Sequence, residues 1–446
     1  MKRLVQILHG LLAGWLALAG VGWPVSADTS EQKLAWFRDA KFGLFLHWGP
    51  ASLTGKELSW SRMGARPGDI VALQEVPVEI YDNLYKHFNP VKFNASEWVR
   101  IAQDAGMKYL VIITKHHDGF SMFHTKHSEY GIANTPFGRD IVKELADACH
   151  RAGLRFGVYY SQRDWYHPEY LKGSNANYTE FLHNQVRELL SNYGKVDIVW
   201  FDSFGRSDLV KDWKVYELLD MIHKLQPAAL VNNRLAILGD YNKGPRDLWG
   251  DYDTPEERIG SFQHGRAWES CVTLVGRQWS YRPGGRMYTR EETIRHLVNT
   301  ATGDGNLLLN VGPTPAGEIE LRQVERLREV GQWLTRYGES IYSTRGGPFR
   351  NGKWGGSTYR GKTIYLHVID WGASRLDLPP LKAKITKWAS LTGGKAKLEQ
   401  TASGIRLTMP AEGQDPVDTI LRLDLDRPAM SEIPTGVPLA VPASSP

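Results

Sequence analysis

The run VDIVWFDS at residues 196–203 constrains the fold more than any other stretch of the chain. Val196, Ile198, Val199, Trp200 and Phe201 are apolar almost without interruption, the pattern of a strand covered on both faces of a parallel sheet. Asp202 follows immediately. Side chains alternate along a strand, so Asp202 shares a face with Trp200 and Ile198, while Val199 and Phe201 turn to the other side. Comparable runs stand at 42–49 (FGLFLHWG), 109–117 (YLVIITKHH), 155–161 (RFGVYYS) and 228–233 (AALVNN). Helix-like segments separate or follow them, at about 31–39, 94–105, 140–152, 178–192, 211–225, 291–301 and 318–337. This alternation predicts βαβ units and a parallel sheet.

The strand ends favour a closed barrel over an open sheet. His47 and Trp48, His116 and His117, Tyr159 and Tyr160, Asp202, then Asn233 and Arg234 all sit where strands finish. A barrel gathers every such end around one mouth, whereas an open doubly wound sheet concentrates its site at one switch point. No Gly-rich phosphate loop follows the first strand, which counts against a dinucleotide fold. GDYDTPEER at 250–258 reads as loop; WESCVTL at 268–274, QWSY at 278–281 and GNLLLNVGP at 305–313 read as a return to the barrel.

From about 339 the texture changes to short alternating runs such as TIYLHVI (363–369) and TILRLDL (419–425), separated by Gly, Pro and Asn turns, which predicts an antiparallel sandwich. The expected organisation is a (β/α)8-like TIM barrel over 28–338, a small β-sandwich domain over 339–428, and a disordered tail over 429–446. Residues 1–27 read as a signal peptide, with Lys2 and Arg3, an apolar run over 11–21 and Val25-Ser26-Ala27, so export to a periplasmic or extracellular space is expected, with no membrane attachment after cleavage. Cys149 and Cys271 are the only cysteines, so no disulfide framework holds the chain together. The net charge of +5 over 446 residues is small and dispersed, which argues against a nucleic-acid partner.

A carboxylate at a barrel mouth invites a second. Glu269, in the strand-like WESCVTL, is the first candidate, and Asp202 with Glu269 is the pair that glycoside hydrolysis requires. Asp247, Asp251, Asp253, Glu256 and Glu257 compete but read as surface or capping residues. His47, His116 and His117 suit either a metal site or neutral imidazoles that bind hydroxyl groups. The adjacency of His116 and His117, whose side chains diverge, favours hydroxyls over a metal. Sixteen tryptophans, among them Trp48, Trp60, Trp200, Trp268 and Trp279 near strand ends, offer apolar faces to a sugar ring. Together these residues describe a saccharide pocket.

At these residues the chain resembles the α-L-fucosidases of glycoside hydrolase family 29. The motifs that carry the resemblance are KFGLFLHWGPAS from Lys41, YLVIITKHHDGF from Tyr109, RFGVYYS from Arg155, VDIVWFDS from Val196, GDYDTPE from Gly250, WESCVTL from Trp268 and GNLLLNVGPTPAGEI from Gly305. The resemblance implies a retaining, exo-acting enzyme that removes terminal L-fucose from oligosaccharides or glycoconjugates, with a β-sandwich behind the barrel and with no metal and no cofactor. It implies Asp202 as nucleophile and Glu269 as acid/base. His47, Trp60, His116, His117, Tyr160 and Arg234 would contact the sugar, and Trp200 with Trp279 would wall its methyl group. The chain departs from the family in having Ser59 where Glu often precedes the Trp matched by Trp60, and Gln278-Trp279-Ser280-Tyr281 for Ser-Trp-Gly-Tyr. The alternatives are a carbohydrate-binding protein without turnover and a related α-L-glycosidase such as an α-L-galactosidase.

Overall fold

The computed structural model describes residues 30–63, 75–170, 175–202, 213–235, 250–372 and 374–432. The expected signal peptide, Asp247 and residues 433–446 lie outside them. Eight strands, β1 (Phe42–Leu46), β2 (Tyr109–Lys115), β3 (Arg155–Tyr160), β4 (Ile198–Phe201), β5 (Leu230–Val231), β6 (Tyr252–Asp253), β7 (Ala267–Thr273) and β8 (Asn306–Val311), form one sheet in the order β5-β4-β3-β2-β1-β8-β7-β6. The paired strands run parallel. Its two edges meet, because Asn232 bridges Tyr252 in parallel register and the Asn233 N–H donates to the Tyr252 carbonyl at 3.0 Å. The result is the expected barrel.

The apolar runs are explained by the two sides of that sheet. Ile198 and Trp200 face the barrel interior with Phe45, Val111, Tyr159 and Leu308. Val199 and Phe201 pack outward with Leu182, Val186, Leu218 and Ile222 of the surrounding helices. Gly43 makes room inside: a Cβ there would come within 2.4 Å of the Tyr109 ring, so only glycine lets that tyrosine lie across the interior.

The outer helices are Ala95–Asp104, Ile141–Ala152, Ala176–Asn192, Val215–Leu225, Arg290–Thr302 and Leu321–Tyr337. Their starts follow from local chemistry. Asn94 accepts the Glu97 N–H, Asp140 accepts the Lys143 N–H, and Thr289 with Glu292 closes a reciprocal capping box, each such cap being worth about 1 kcal/mol.

Two readings of the sequence are corrected. GDYDTPEER is not only loop, since Tyr252–Asp253 is the barrel strand β6; two residues are too few to show a period. QWSY is not a strand. Residues 278–281 lie across the barrel mouth, where the half-buried Glu57 carboxylate accepts the N–H groups of Trp279 at 2.7 Å and Ser280 at 3.1 Å.

The following strands are β9 (Arg345–Gly346), β10 (Gly355–Arg360), β11 (Thr363–Val368), β12 (Arg375–Leu378), β13 (Ile385–Ser390), β14 (Lys397–Thr401), β15 (Gly404–Thr408) and β16 (Thr419–Leu425). They form two antiparallel sheets, β13-β16-β11-β10-β9 and β12-β15-β14. Leu366, Leu421 and Leu423 of one share a core with Leu376, Ile405 and Leu407 of the other, which is a sandwich. The buried Asp304 ties sandwich to barrel, accepting two bonds from Arg345 at 2.6 and 2.9 Å while Lys41 lies 3.7 Å away. Within the tail expected to be disordered, Ala429–Glu432 instead forms a 3-10 turn with Ala429 buried.

Candidate active site

Asp202 directly follows β4 and enters a cavity at the C-terminal mouth of the barrel. Its Oδ1 accepts from Arg234 Nη1 at 3.0 Å and its Oδ2 from the Tyr159 hydroxyl at 2.7 Å. Burial alone would raise its pKa. The positive charge of Arg234 and the hydrogen bonds from Tyr159 and Arg234 outweigh burial and hold the carboxyl below its ordinary range. Asp202 is therefore an anion at neutral pH.

Arg234 is buried and held rigidly. Its Nε donates to Thr254 Oγ1 and its Nη2 to the Thr254 carbonyl, both at 2.8 Å, while the guanidinium lies 4.6 Å from the centre of the Trp200 ring. Nη1 also donates to Glu256 Oε2 at 2.8 Å. Asp202 and Glu256 thus meet on one nitrogen. The two contacts of 3.0 and 2.8 Å limit the separation of those two oxygens to about 6 Å, so both carboxylates address one small volume of the cavity.

The histidines are fixed by neighbours of which the sequence singled out only Ser59. His47 Nδ1 lies 2.7 Å from Asn310 Oδ1. Asn310 uses its amide N–H on the Trp279 carbonyl at 2.7 Å, so its oxygen faces His47 as an acceptor. This assigns the proton to His47 Nδ1 and leaves Nε2 as an acceptor. Burial depresses the His47 pKa to about 3, so the ring is neutral. His116 Nδ1 pairs with Ser59 Oγ and His117 Nδ1 with Ser161 Oγ, both at 2.6 Å, and burial pushes both pKa values down. Ser59, the departure from the family pattern, therefore orients a ring that faces the cavity.

His47, Trp60, His116, His117, Trp200, Arg234 and Trp279 all line the cavity with Asp202. Two expectations are corrected. Tyr160 turns outward and donates to Gln185 Oε1 at 2.8 Å; the alternation of side chains puts Tyr159, its neighbour, in the cavity. Glu269 is inside the barrel but does not line the cavity. It pairs with Asn306, the first residue of β8, and accepts from Tyr109, the first residue of β2, which places it toward the N-terminal end, beneath the mouth. Cys271, two residues further along the same face, touches the cavity instead. Glu256 is the second carboxylate there, from the loop that the sequence offered as the alternative. The other described acids of that loop are engaged elsewhere: Asp251 accepts the Val231 N–H, Asp253 accepts from Arg266, and Glu257 accepts the Thr273 N–H. Phe45 and Arg163 also line the cavity without having been predicted; Phe45 was legible as the residue that shares a face with His47.

His116, His117 and Asp202 bring one donor atom each within 4.8 Å of one another. Arg234 already supplies Asp202 with a cation, and both rings direct Nδ1 to a serine.

A family model for alpha-L-fucosidase matches residues 22–339. The chain belongs to the α-L-fucosidase family, glycoside hydrolase family 29. Among curated relatives of this fucosidase-family chain, human plasma alpha-L-fucosidase is 31% identical over 370 residues, covering 77% of this chain and 78% of that one. Alpha-L-fucosidase isoenzyme 1 from Paenibacillus thiaminolyticus superposes with a TM-score of 0.78 at 33% identity, covering 89% of this chain and 99% of that one. A family 29 alpha-L-fucosidase from Bacteroides thetaiotaomicron, solved as a covalent intermediate trapped with 2-fluoro-fucosyl fluoride in a Glu-to-Gln mutant, superposes with a TM-score of 0.77 at 28% identity, covering 88% and 96%.

Proposed function

We infer that the chain is an exo-acting, retaining α-L-fucosidase that releases terminal α-L-fucosyl residues from oligosaccharides or glycoconjugates. The observation that carries this reading is the convergence of Asp202 and Glu256 on Arg234 in a single aromatic-walled cavity. Asp202 attacks the anomeric carbon as Glu256 protonates the departing oxygen, giving a glycosyl ester and the free aglycone. Glu256, now ionised, takes a proton from water, whose oxygen attacks the same carbon and frees Asp202. The neutral His47, His116 and His117 hold the sugar hydroxyls, and Trp60, Trp200 and Trp279 cover its apolar face and methyl group. The trapped intermediate of the Bacteroides relative is consistent with this course. We assign catalysis to 28–338, with the sandwich behind it. No helix among the described residues is long and apolar enough to cross a membrane. The 1–27 segment and the plasma relatives support an exported enzyme.

The test is hydrolysis of a chromogenic α-L-fucoside, followed by labelling with a 2-fluoro-fucosyl inactivator and peptide mapping. The ester is expected on Asp202, and a label on any other carboxylate overturns the assignment. Glu256→Gln should slow substrates with poor leaving groups by about 10²- to 10⁴-fold, with azide restoring turnover of an activated aryl fucoside. The same substrate panel with an α-L-galactoside, and a binding measurement showing affinity without turnover, would identify the two alternative readings.

A further inference from the structure

Glu269 is fully buried, takes no part in the mechanism above, and is bound to a residue that does. Its Oε1 accepts the Trp200 indole N–H at 3.1 Å and its Oε2 the Tyr109 hydroxyl at 2.5 Å. Trp200 in turn is the platform for both groups that hold the nucleophile. Its ring stacks on Tyr159 with centroids 5.4 Å apart and planes at 19°, and the Arg234 guanidinium covers it at 4.6 Å. Tyr159 and Arg234 are the two donors to Asp202.

We propose that Glu269 is a positioning residue, which acts as a hydrogen-bond acceptor to lock the Trp200 indole and, through that ring, sets Tyr159 and Arg234 on Asp202. This rests on the fucosidase reading for its consequence in turnover, but the locking itself is a property of the barrel interior. A buried indole N–H needs an acceptor. Around Trp200 the described residues offer only Glu269 in that role, and the Phe45 ring, 5.2 Å from Trp200, offers none. Without the acceptor the indole loses its one directional restraint, and displacement of a supporting ring by about 1 Å is enough to cost on the order of 10²-fold in rate.

The role is distinguishable from chemistry at the reacting atoms. Glutamine keeps an oxygen for the Trp200 N–H, so Glu269→Gln should retain kcat on an aryl fucoside within about 5-fold of wild type. Glu269→Leu, which removes the acceptor, should lower kcat about 100-fold with KM changed by less than about 3-fold, equally for good and poor leaving groups and without azide rescue. Trp200→Phe removes the donor and should show a comparable loss, and adding Glu269→Leu to it should cost less than about 3-fold more. Near-UV circular dichroism reads the orientation of the indole without any turnover: Glu269→Gln should keep the wild-type spectrum and Glu269→Leu should not. Azide rescue of either Glu269 variant, a Glu269→Gln enzyme as slow as Glu269→Leu, or full additivity with Trp200→Phe would overturn the proposal. Should Glu269→Leu fail to fold, an unchanged kcat for Trp200→Phe would overturn it alone. A wild-type chain inert toward fucosides would instead refute the function, while the dichroism still decides whether Glu269 holds the indole.

Discussion

Replacing Glu269 by Gln should change how the stability of the barrel depends on pH. Burial in the barrel interior raises the Glu269 pKa from its ordinary value near 4.5 to about 7; hydrogen bonds from Tyr109 and Trp200 and the charge of Arg234 oppose that rise without cancelling it. Tyr252 and Cys271 are the other titratable side chains that feel this carboxyl, and burial holds both neutral. The native state thus keeps a proton that the unfolded chain releases, and between pH 4.5 and 7 it binds more protons than the unfolded state. Stability must then fall as pH rises through that window, with nothing lost below about 4.5 and the full loss reached above about 7. The full loss is about 3 kcal/mol at about 1.4 kcal/mol per unit, of which about 2.5 kcal/mol develops between pH 5 and 8. Glutamine cannot titrate, so any constant effect of the substitution cancels when the two pH values are compared. Urea unfolding of both proteins at pH 5 and pH 8, followed by tryptophan fluorescence, should show wild type losing about 2.5 kcal/mol more than Glu269→Gln over that interval. Equal pH dependence in the two proteins would mean that Glu269 does not change protonation there and would refute the argument.

Tyr159→Phe removes one of the two hydrogen bonds on Asp202 and should cut kcat/KM about 10- to 100-fold, the range of a charge-assisted bond, whereas Tyr160→Phe should stay within about 2-fold; the reverse result would restore the sequence-based choice of Tyr160. His47→Asn should raise KM for an aryl fucoside about 10-fold while leaving the acid limb of the pH profile in place, because a ring depressed to about 3 is neutral throughout the working range; disappearance of that limb would show that His47 titrates in catalysis. Activity should survive prolonged chelation, and elemental analysis of the purified protein should find no stoichiometric metal at His116, His117 and Asp202; loss with EDTA and recovery with zinc would make that trio a metal site.

What the sequence revealed of the site depended on two coordinates of a strand residue, which face it points to and how far along the strand it lies. The face is written in the alternation. Trp200 and Asp202 were placed together by that rule, whereas the choice between Tyr159 and Tyr160 needs the register of the structure, in which Tyr159 pairs with the inward Trp200. Depth is not written in the alternation. Asp202 follows Phe201, the last residue of β4, while Glu269 lies four residues before Thr273, the last of β7, which at about 3.3 Å per residue is roughly 13 Å below the strand end. Both carboxylates face the interior, yet only one reaches the mouth. WESCVTL gave no sign of this because its apolar and small residues continue past the glutamate to Leu274, and that continuation is itself the missing signal: a mouth residue ends its run, as Asp202 does. Glu256 was hidden for another reason. Asp251, Asp253, Glu256 and Glu257 are alike in composition and local context, and they are told apart only by what each meets in space, a backbone N–H for Asp251 and Glu257, Arg266 for Asp253, and for Glu256 the guanidinium that also holds Asp202. That shared partner is what brings a loop acid to Asp202, and Arg234, whose contacts to Thr254 and Glu256 reach from β5 across to the segment after β6, is where the barrel supplies it.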